Sequence, residues 1–141
     1  MLFRSETSHL GNDAPTVLFN ALKTEKKREM IFVDSLTSFI HSSTDKEVLG
    51  LFEDAKKLCG EKTTIILVVH AHALSRELIT RLRSLCDAHL QLRTEEVGTK
   101  LVKTLEVTKV RGAEQTTGNI VSFEVEPGWG IRVIPINKVK G

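Results

Sequence analysis

Residues 30–35 read MIFVDS, a short apolar run that ends in an acidic residue and a hydroxyl. A continuous apolar run of this length is typical of a strand buried in a parallel sheet. A second such run, 65–69 (IILVV), ends at His70. Because parallel crossovers are right-handed, the strand ends that carry Asp34 and His70 should lie on the same edge of one sheet. Ligands of open α/β sheets bind at that edge, so these residues are the first functional candidates.

Helix signals flank and separate the two runs. Asp13 and Pro15 indicate the start of a first helix, since Asp caps a helix and Pro suits its first turn. Thr44 and Glu47 have the spacing of a capping box at the start of a second helix. Gly60 stands where a left-handed residue would end that helix.

After Gly98 apolar and polar residues alternate, which is typical of half-buried antiparallel strands. Residues 126–130 (EPGWG) predict a tight turn, because Pro fixes φ and Gly accepts positive φ. The elements predicted beyond residue 70 are a helix at 75–86, strands at 88–92, 104–108, 121–125 and 131–136, and a hairpin loop at 112–119.

The predicted fold class is therefore α/β. Helices and parallel strands in the order (α)βαβαβ are followed by an antiparallel C-terminal β-meander. We expect a single domain over 1–141, with an α/β part at 1–97 and the meander at 98–141.

The chain has 141 residues, of which 40% are hydrophobic and 27% charged, and a formal net charge of +2. This near balance argues against nucleic-acid binding, which usually needs a concentrated basic excess. No apolar run approaches the roughly 20 residues of a membrane helix, so direct membrane insertion is not expected. Cys59 and Cys86 belong to no CxxC pair and are expected to be free cytosolic thiols.

The 30–35 run has the pattern of a Walker B strand, whose Asp accepts a hydrogen bond from a magnesium-bound water. Asp34 is the candidate acid, and Ser35 is the hydroxyl that could orient it. Strands also end in Asp because Asp caps the turn that follows, so a purely structural role stays open.

His70 and His72 follow the second apolar run. An HxH pair can begin a zinc site, but a tetrahedral site needs further ligands, and no HxxE or CxxC pattern accompanies it. Contact between His70 and a γ-phosphate, as a sensor at the strand end, fits the position better. An exposed loop pair without a role is the alternative.

Lys109 and Arg111 are spaced i, i+2 at the end of a predicted strand, so both side chains point off the same face. From there they could reach a phosphate bound by a neighbouring subunit. Exposed cations at a hairpin mouth are also common protection of a strand edge.

The phosphate-binding Walker A pattern GxxxxGK[ST] is missing from the sequence. The nearest string, 60–64 (GEKTT), lacks the upstream Gly. It also precedes a strand, whereas a phosphate loop follows a strand and opens a helix.

Three stretches resemble the RecA/KaiC-type ATPases and, more narrowly, the ATP-binding accessory proteins of the archaellum, the archaeal flagellar motor. Residues 31–38 (IFVDSLTS) are similar to the family's Walker B segment, and 65–92 has the layout of the unit that follows it. Residues 123–140 (FEVEPGWGIRVIPINKVK) resemble the closing hairpin closely. The resemblance covers roughly 28–141, the C-terminal part of the family's domain.

This resemblance implies a RecA-like P-loop NTPase core, incomplete without its Walker A strand and loop, that binds ATP and Mg²⁺. By the same resemblance Asp34 holds Mg²⁺ through water beside Ser35, and His70 is the sensor. Lys109 and Arg111 would act in trans in a homo-oligomeric ring. The ring would lie in the cytoplasm at the inner face of the membrane, against the motor's secretion-type ATPase and its membrane platform protein.

The family's Walker A loop would lie N-terminal to Met1. The chain is therefore expected to be a fragment, a split gene product or a degenerate domain, unable to hold ATP tightly alone, and its competence as an ATPase stays open. The favoured function is a nucleotide-binding regulatory or assembly component of the archaellum motor. The alternatives are an interaction scaffold with no nucleotide role, and part of a general KaiC-like ATPase.

Overall fold

A computed structural model of the protein describes residues 14–25, 27–60, 62–97, 100–112 and 119–134. Asp13, the predicted cap of the first helix, and most of the predicted loop at 112–119 lie outside the described residues, as do residues 135–141. The chain divides into two compact units, Met1–Cys86 and Asp87–Gly141. This division lies N-terminal to the boundary that the change in hydrophobic period predicts.

The first unit contains four helices, a short 3₁₀ turn and a two-stranded parallel sheet among its described residues. Its elements are α1 (Ala14–Thr24), β1 (Met30–Val33), α2 (Thr37–Ile40), α3 (Asp45–Cys59), β2 (Thr64–Leu67), the 3₁₀ turn Ala71–Ala73 and α4 (Arg76–Leu85). The strands β1 and β2 are parallel, with Ile31 opposite Ile65 and Val33 opposite Leu67. The parallel arrangement predicted for the two apolar runs is confirmed.

The core of the first unit lies between its helices and one face of this sheet. Its buried members come from all four helices and the β1–α2 connection: Leu18, Leu22, Leu36, Ile40, Val48, Leu51, Phe52, Ala55, Leu58, Leu78 and Leu82. Ile31, Val33, Ile65 and Leu67 pack against this cluster from the sheet. On the opposite face Met30 is 62% and Phe32 60% exposed, so β1 is not the fully buried strand that its apolar run predicts.

The start of α3 is the predicted capping box. The Thr44 side chain accepts a hydrogen bond from the Glu47 backbone N–H, and the Glu47 carboxylate accepts one from the Thr44 N–H at 2.7 Å. Two N–H groups without an intrahelical partner are satisfied in this way. Ser75 caps α4 by the same principle, accepting from the Leu78 N–H at 3.1 Å.

The end of α3 differs from the prediction. Gly60 has right-handed backbone angles, with φ of −62°, and its N–H donates to Lys57 O. The positive φ falls instead on Lys62, at 75°, whose N–H donates to Cys59 O. The left-handed residue thus lies two positions beyond Gly60, just before β2.

The second unit is a four-stranded antiparallel sheet in the order β3-β4-β5-β6. Its strands are β3 (Ala88–Val97), β4 (Lys100–Val110), β5 (Asn119–Glu126) and β6 (Gly130–Ile134). The meander is confirmed, but β3 is its first strand rather than a third member of the βα alternation. The sequence contains the reason, because Leu90 and Leu92 alternate with polar residues, as in a strand with one apolar face.

The turn at 126–130 joins β5 to β6, as predicted. The Trp129 N–H donates to Glu126 O at 3.1 Å. Gly128 and Gly130 both have φ of 84°, a conformation that L side chains rarely adopt. Pro127 and these glycines therefore fix the register of the closing hairpin.

The two faces of the antiparallel sheet differ in chemistry. One face has ion pairs between Arg93 and Glu106 at 3.0 Å and between Arg132 and both Glu124 and Glu126 at 2.7 Å. Residues directly opposite one another in the register share a face. The residues paired on the other face are mainly aliphatic. Its exposed large apolar residues are Leu90, Leu92, Leu101, Val121, Val125, Ile131 and Val133. We call this surface the apolar sheet face.

No helix among the described residues is long and apolar enough to cross a membrane.

Candidate functional site at the carboxyl ends of β1 and β2

Asp34 and Ser35 lie directly after β1, where the apolar run stops. Asp34 is exposed, Ser35 is half-buried, and the peptide bond between them is cis. Leu36 follows with a side chain fully shielded from solvent. The burial of Leu36 ties this segment to the core and leaves the Asp34 carboxylate on the surface at the strand end.

Backbone hydrogen bonds hold the segment after β1 to the segment after β2. The Val68 N–H donates to Val33 O at 3.0 Å, and the Leu36 N–H donates to Val68 O at 2.8 Å. The contact between the two chain segments therefore extends beyond the last residues of the strands. The strand ends that carry Asp34 and His70 meet at one edge, as the sequence predicts.

Thr37 connects the two segments through its side chain. Its Oγ1 accepts a hydrogen bond from the His70 N–H at 3.0 Å and lies 3.0 Å from His70 Nδ1. Thr37 is half-buried at the start of α2, whereas His70 is exposed. No role for Thr37 was predicted from the sequence. The signal for it was a hydroxyl in the DSLT string, three positions after the acid.

Two further side chains shape the segment after β1. Ser38 Oγ donates to Ser35 O at 3.1 Å, and His41 Nδ1 lies 3.3 Å from Ser38 O. These are contacts within one turn, and they order the backbone around Ser35. His72 lies in the 3₁₀ turn after His70 and is exposed.

The donor set at this edge suits magnesium better than zinc. Asp34 and Ser35 offer carboxylate and hydroxyl oxygens, the ligands that Mg²⁺ prefers when it keeps several of its waters. No group of three or more His, Cys, Asp or Glu side chains that could hold a metal ion occurs among the described residues. A cation here would therefore be held by Asp34 together with water and the ligand's own oxygens.

Lys109 and Arg111 belong to the second unit, at the end of β4 and just beyond it. Arg111 is paired with Asp87 within its own chain. Its backbone N–H donates to Asp87 O at 2.7 Å, and its guanidinium Nε lies 2.9 Å from Asp87 Oδ1. Both side chains of this pair are more than half exposed. The Asp34–His70 edge and the two cations are thus on different units.

Comparison with known proteins decides the family. The sequence profile of the KaiC ATPase family matches residues 11–138, nearly the whole chain. The chain belongs to the KaiC ATPase family.

Among curated KaiC-family relatives, the archaeal flagellar ATP-binding protein FlaH of Sulfolobus acidocaldarius is 28% identical over 130 residues. That match covers 92% of this chain and 56% of the relative. FlaH of Methanococcus voltae is 23% identical over 108 residues, with coverage of 76% and 47%. The chain is homologous to FlaH over most of its length, and it spans about half the length of these relatives.

Two solved structures have a similar fold. The flagellar accessory protein FlaH of Methanocaldococcus jannaschii matches with a TM-score of 0.74 at 19% identity, over 89% of this chain and 55% of that one. A KaiC-like protein of Pyrococcus horikoshii matches with a TM-score of 0.60 at 21% identity, over 86% and 53%. At these identities the likeness concerns the fold.

Proposed function

We propose that this chain forms the Walker B side of an ATP site in a FlaH-like component of the archaellum motor. Its role there is to bind nucleotide for regulation or assembly. The observation that carries the proposal is the Thr37–His70 contact, which joins the segments after β1 and β2 at the edge where Asp34 lies. Two relatives named as archaeal flagellar ATP-binding proteins support the proposal of ATP as the ligand and of the archaellum motor as the assembly.

Each residue of this edge has a chemical role in the proposal. The Asp34 carboxylate accepts hydrogen bonds from water on a nucleotide-bound Mg²⁺, and the Ser35 hydroxyl orients that carboxylate. His70 contacts the terminal phosphate as a sensor. The sequence contains no Walker A loop, whose backbone N–H groups and Lys supply most of the hold on a triphosphate. The chain alone therefore binds ATP weakly.

The second unit contributes in trans in this proposal. Lys109 and Arg111 face the nucleotide of a neighbouring subunit in a homo-oligomeric ring at the cytoplasmic face of the membrane, against the motor ATPase and its platform protein. Arg111 first has to leave Asp87. Exposed ion pairs contribute only about 0–1 kcal/mol, so an incoming phosphate competes with Asp87 at little cost.

The test is ATP binding by the product of the complete reading frame that contains these 141 residues. Calorimetry with Mg²⁺ and ATP should detect binding, and Asp34→Asn should weaken it about 10–100-fold, the usual loss for a group that acts on a metal through an outer-shell contact. Asp54→Asn is the matched control. Its exposed α3 carboxylate pairs with Lys57 at 2.7 Å, and this variant should bind ATP like the wild type.

Absence of binding at millimolar ATP would overturn the nucleotide role and favour the interaction scaffold. Equal binding by wild type and Asp34→Asn would remove Asp34 from the site. Arg111→Ala should weaken nucleotide binding only in the assembled ring, and an equal effect in the monomer would contradict a trans role.

A further inference from the structure

The Thr37–His70 contact joins two chain segments and also involves the His70 ring. Thr37 Oγ1 lies 3.0 Å from two atoms of one residue, the backbone nitrogen and the ring Nδ1 of His70. The two residues are 33 positions apart in the chain. His70 is exposed, so packing does little to fix its ring, and Thr37 contacts the residue at its backbone and at its ring.

Counting donors and acceptors indicates which nitrogen carries the proton. A threonine hydroxyl has one O–H and two lone pairs, and one lone pair accepts the His70 N–H. Among the residues that the structure describes, Nδ1 is the acceptor within reach of the O–H. An Nδ1–H could also donate to the second lone pair of Oγ1, but the threonine O–H would then have no acceptor among the described residues. Donation by the hydroxyl to Nδ1 satisfies both groups, and Nδ1 then carries no proton. The neutral ring must then carry its proton on Nε2, on the side turned away from Thr37.

We infer that Thr37 is a positioning residue that fixes His70 as the Nε2–H tautomer and presents that N–H as a donor to an anionic oxygen. The inference rests on the proposed function for the identity of that oxygen, a phosphate oxygen of the bound nucleotide. Thr37 touches no phosphate itself and acts through the ring.

This arrangement also couples the two strand ends. The same hydroxyl is fixed by α2 on the β1 side and by the His70 backbone on the β2 side. A shift of the segment that carries Asp34 would move Thr37 and release the ring. The orientation of the Nε2–H donor therefore depends on the position of the acidic segment.

The first test is spectroscopic and needs no nucleotide. Long-range ¹⁵N–¹H NMR of the 141-residue chain, recorded at about pH 8.5 where imidazoles are neutral, reports the protonation of each ring nitrogen. His70 should show a protonated Nε2 and an unprotonated Nδ1. A ring protonated at Nδ1, or an even mixture of tautomers, would overturn the inference.

Thr37 variants separate ring control from loss of structure. Thr37→Val keeps the shape of the side chain and removes the hydroxyl, so the His70 tautomers should mix and its amide proton should exchange about tenfold faster. Thr37→Ser should restore the wild-type signature. Thr80→Val is the control, because the one hydrogen bond of the Thr80 side chain to the described part of the chain is exposed and stays within its own helix, to Arg76 O at 2.9 Å. Unchanged His70 signals in Thr37→Val would contradict the positioning role.

The functional test uses the complete reading-frame product. Thr37→Val should weaken binding of ATP with Mg²⁺ about tenfold, the loss expected for one charge-assisted hydrogen bond, and Thr37→Ser should recover most of it. Failure of the wild type to bind ATP would sink the proposed function while leaving the tautomer measurement intact. Wild-type ATP binding that Thr37→Val leaves unchanged would reject the positioning role alone.

Discussion

At the scale of single residues, the clearest electrostatic feature is Glu47 in the capping box of α3. The hydrogen bond from the Thr44 backbone N–H, followed by that from the Thr44 side chain, holds the pKa of the Glu47 carboxyl below its ordinary value of 4.5. Both bonds favour the charged carboxylate, which also lies near the positive end of the helix dipole. The free energy of unfolding therefore depends on the charge state of Glu47.

The direction of that pH dependence follows from linkage. Because folding lowers the pKa of Glu47, its contribution is complete above the unfolded value of 4.5 and is lost as the pH falls through the folded value. Glu47→Gln should therefore be less stable than the wild type near pH 7, and the two should converge in acid. Thermal unfolding at a series of pH values measures this. A difference that stays constant down to the acid limit would contradict it.

At the scale of the elements, α4 is held by its apolar side. Leu78 is 2% exposed and belongs to the core between the helices and the sheet. Ser75 caps the start of the helix, and Lys56 Nζ donates to Leu85 O at 2.9 Å at the end of the helix. Helices of this length are marginal in isolation, so most of the stability of α4 comes from the packed face.

Leu78→Ala should lower the free energy of unfolding by about 2–5 kcal/mol, because it removes buried methyl groups and leaves a cavity. Met30→Ala is the matched control in the same unit. Met30 is 62% exposed on β1, and its truncation should change the free energy of unfolding by about 0.5 kcal/mol or less. Urea denaturation gives both values, and similar losses in the two variants would show that Leu78 is not part of the core.

At the scale of the whole molecule, the most prominent feature is the amount of exposed apolar surface. Met30 and Phe32 are exposed on β1, and the apolar sheet face adds residues from all four antiparallel strands. Monomeric proteins rarely expose large contiguous apolar patches. The 141-residue chain should therefore bind a hydrophobic dye and self-associate as its concentration rises.

Leu92→Lys combined with Ile131→Lys tests this expectation, since each wild-type side chain is 69% exposed on the apolar sheet face. The double variant should bind less dye and self-associate less, as measured by fluorescence and sedimentation. Ile120→Lys is the control. Ile120 lies opposite Glu106, on the face with the ion pairs. If Ile120→Lys lowers dye binding as much as the double variant, the apolar sheet face is not responsible.

The sequence by itself determined the local elements whose signals are short-range. The capping box at Thr44 and Glu47, the turn at 126–130 and the apolar runs of β1 and β2 all depend on neighbouring residues, and all are present in the structure. The meeting of the strand ends that carry Asp34 and His70 was also predictable, because the handedness of crossovers leaves few alternatives.

Only the tertiary structure decided the features that join residues far apart in the chain. The pairing of β3 with β4, the exposure of one face of β1 and β2, and the contact of Thr37 with His70 depend on which segments meet in space. The hydrophobic period of a strand predicts that the strand has an apolar side. It does not predict which segment covers that side. Likewise, a threonine in the sequence does not predict which distant side chain its hydroxyl will contact.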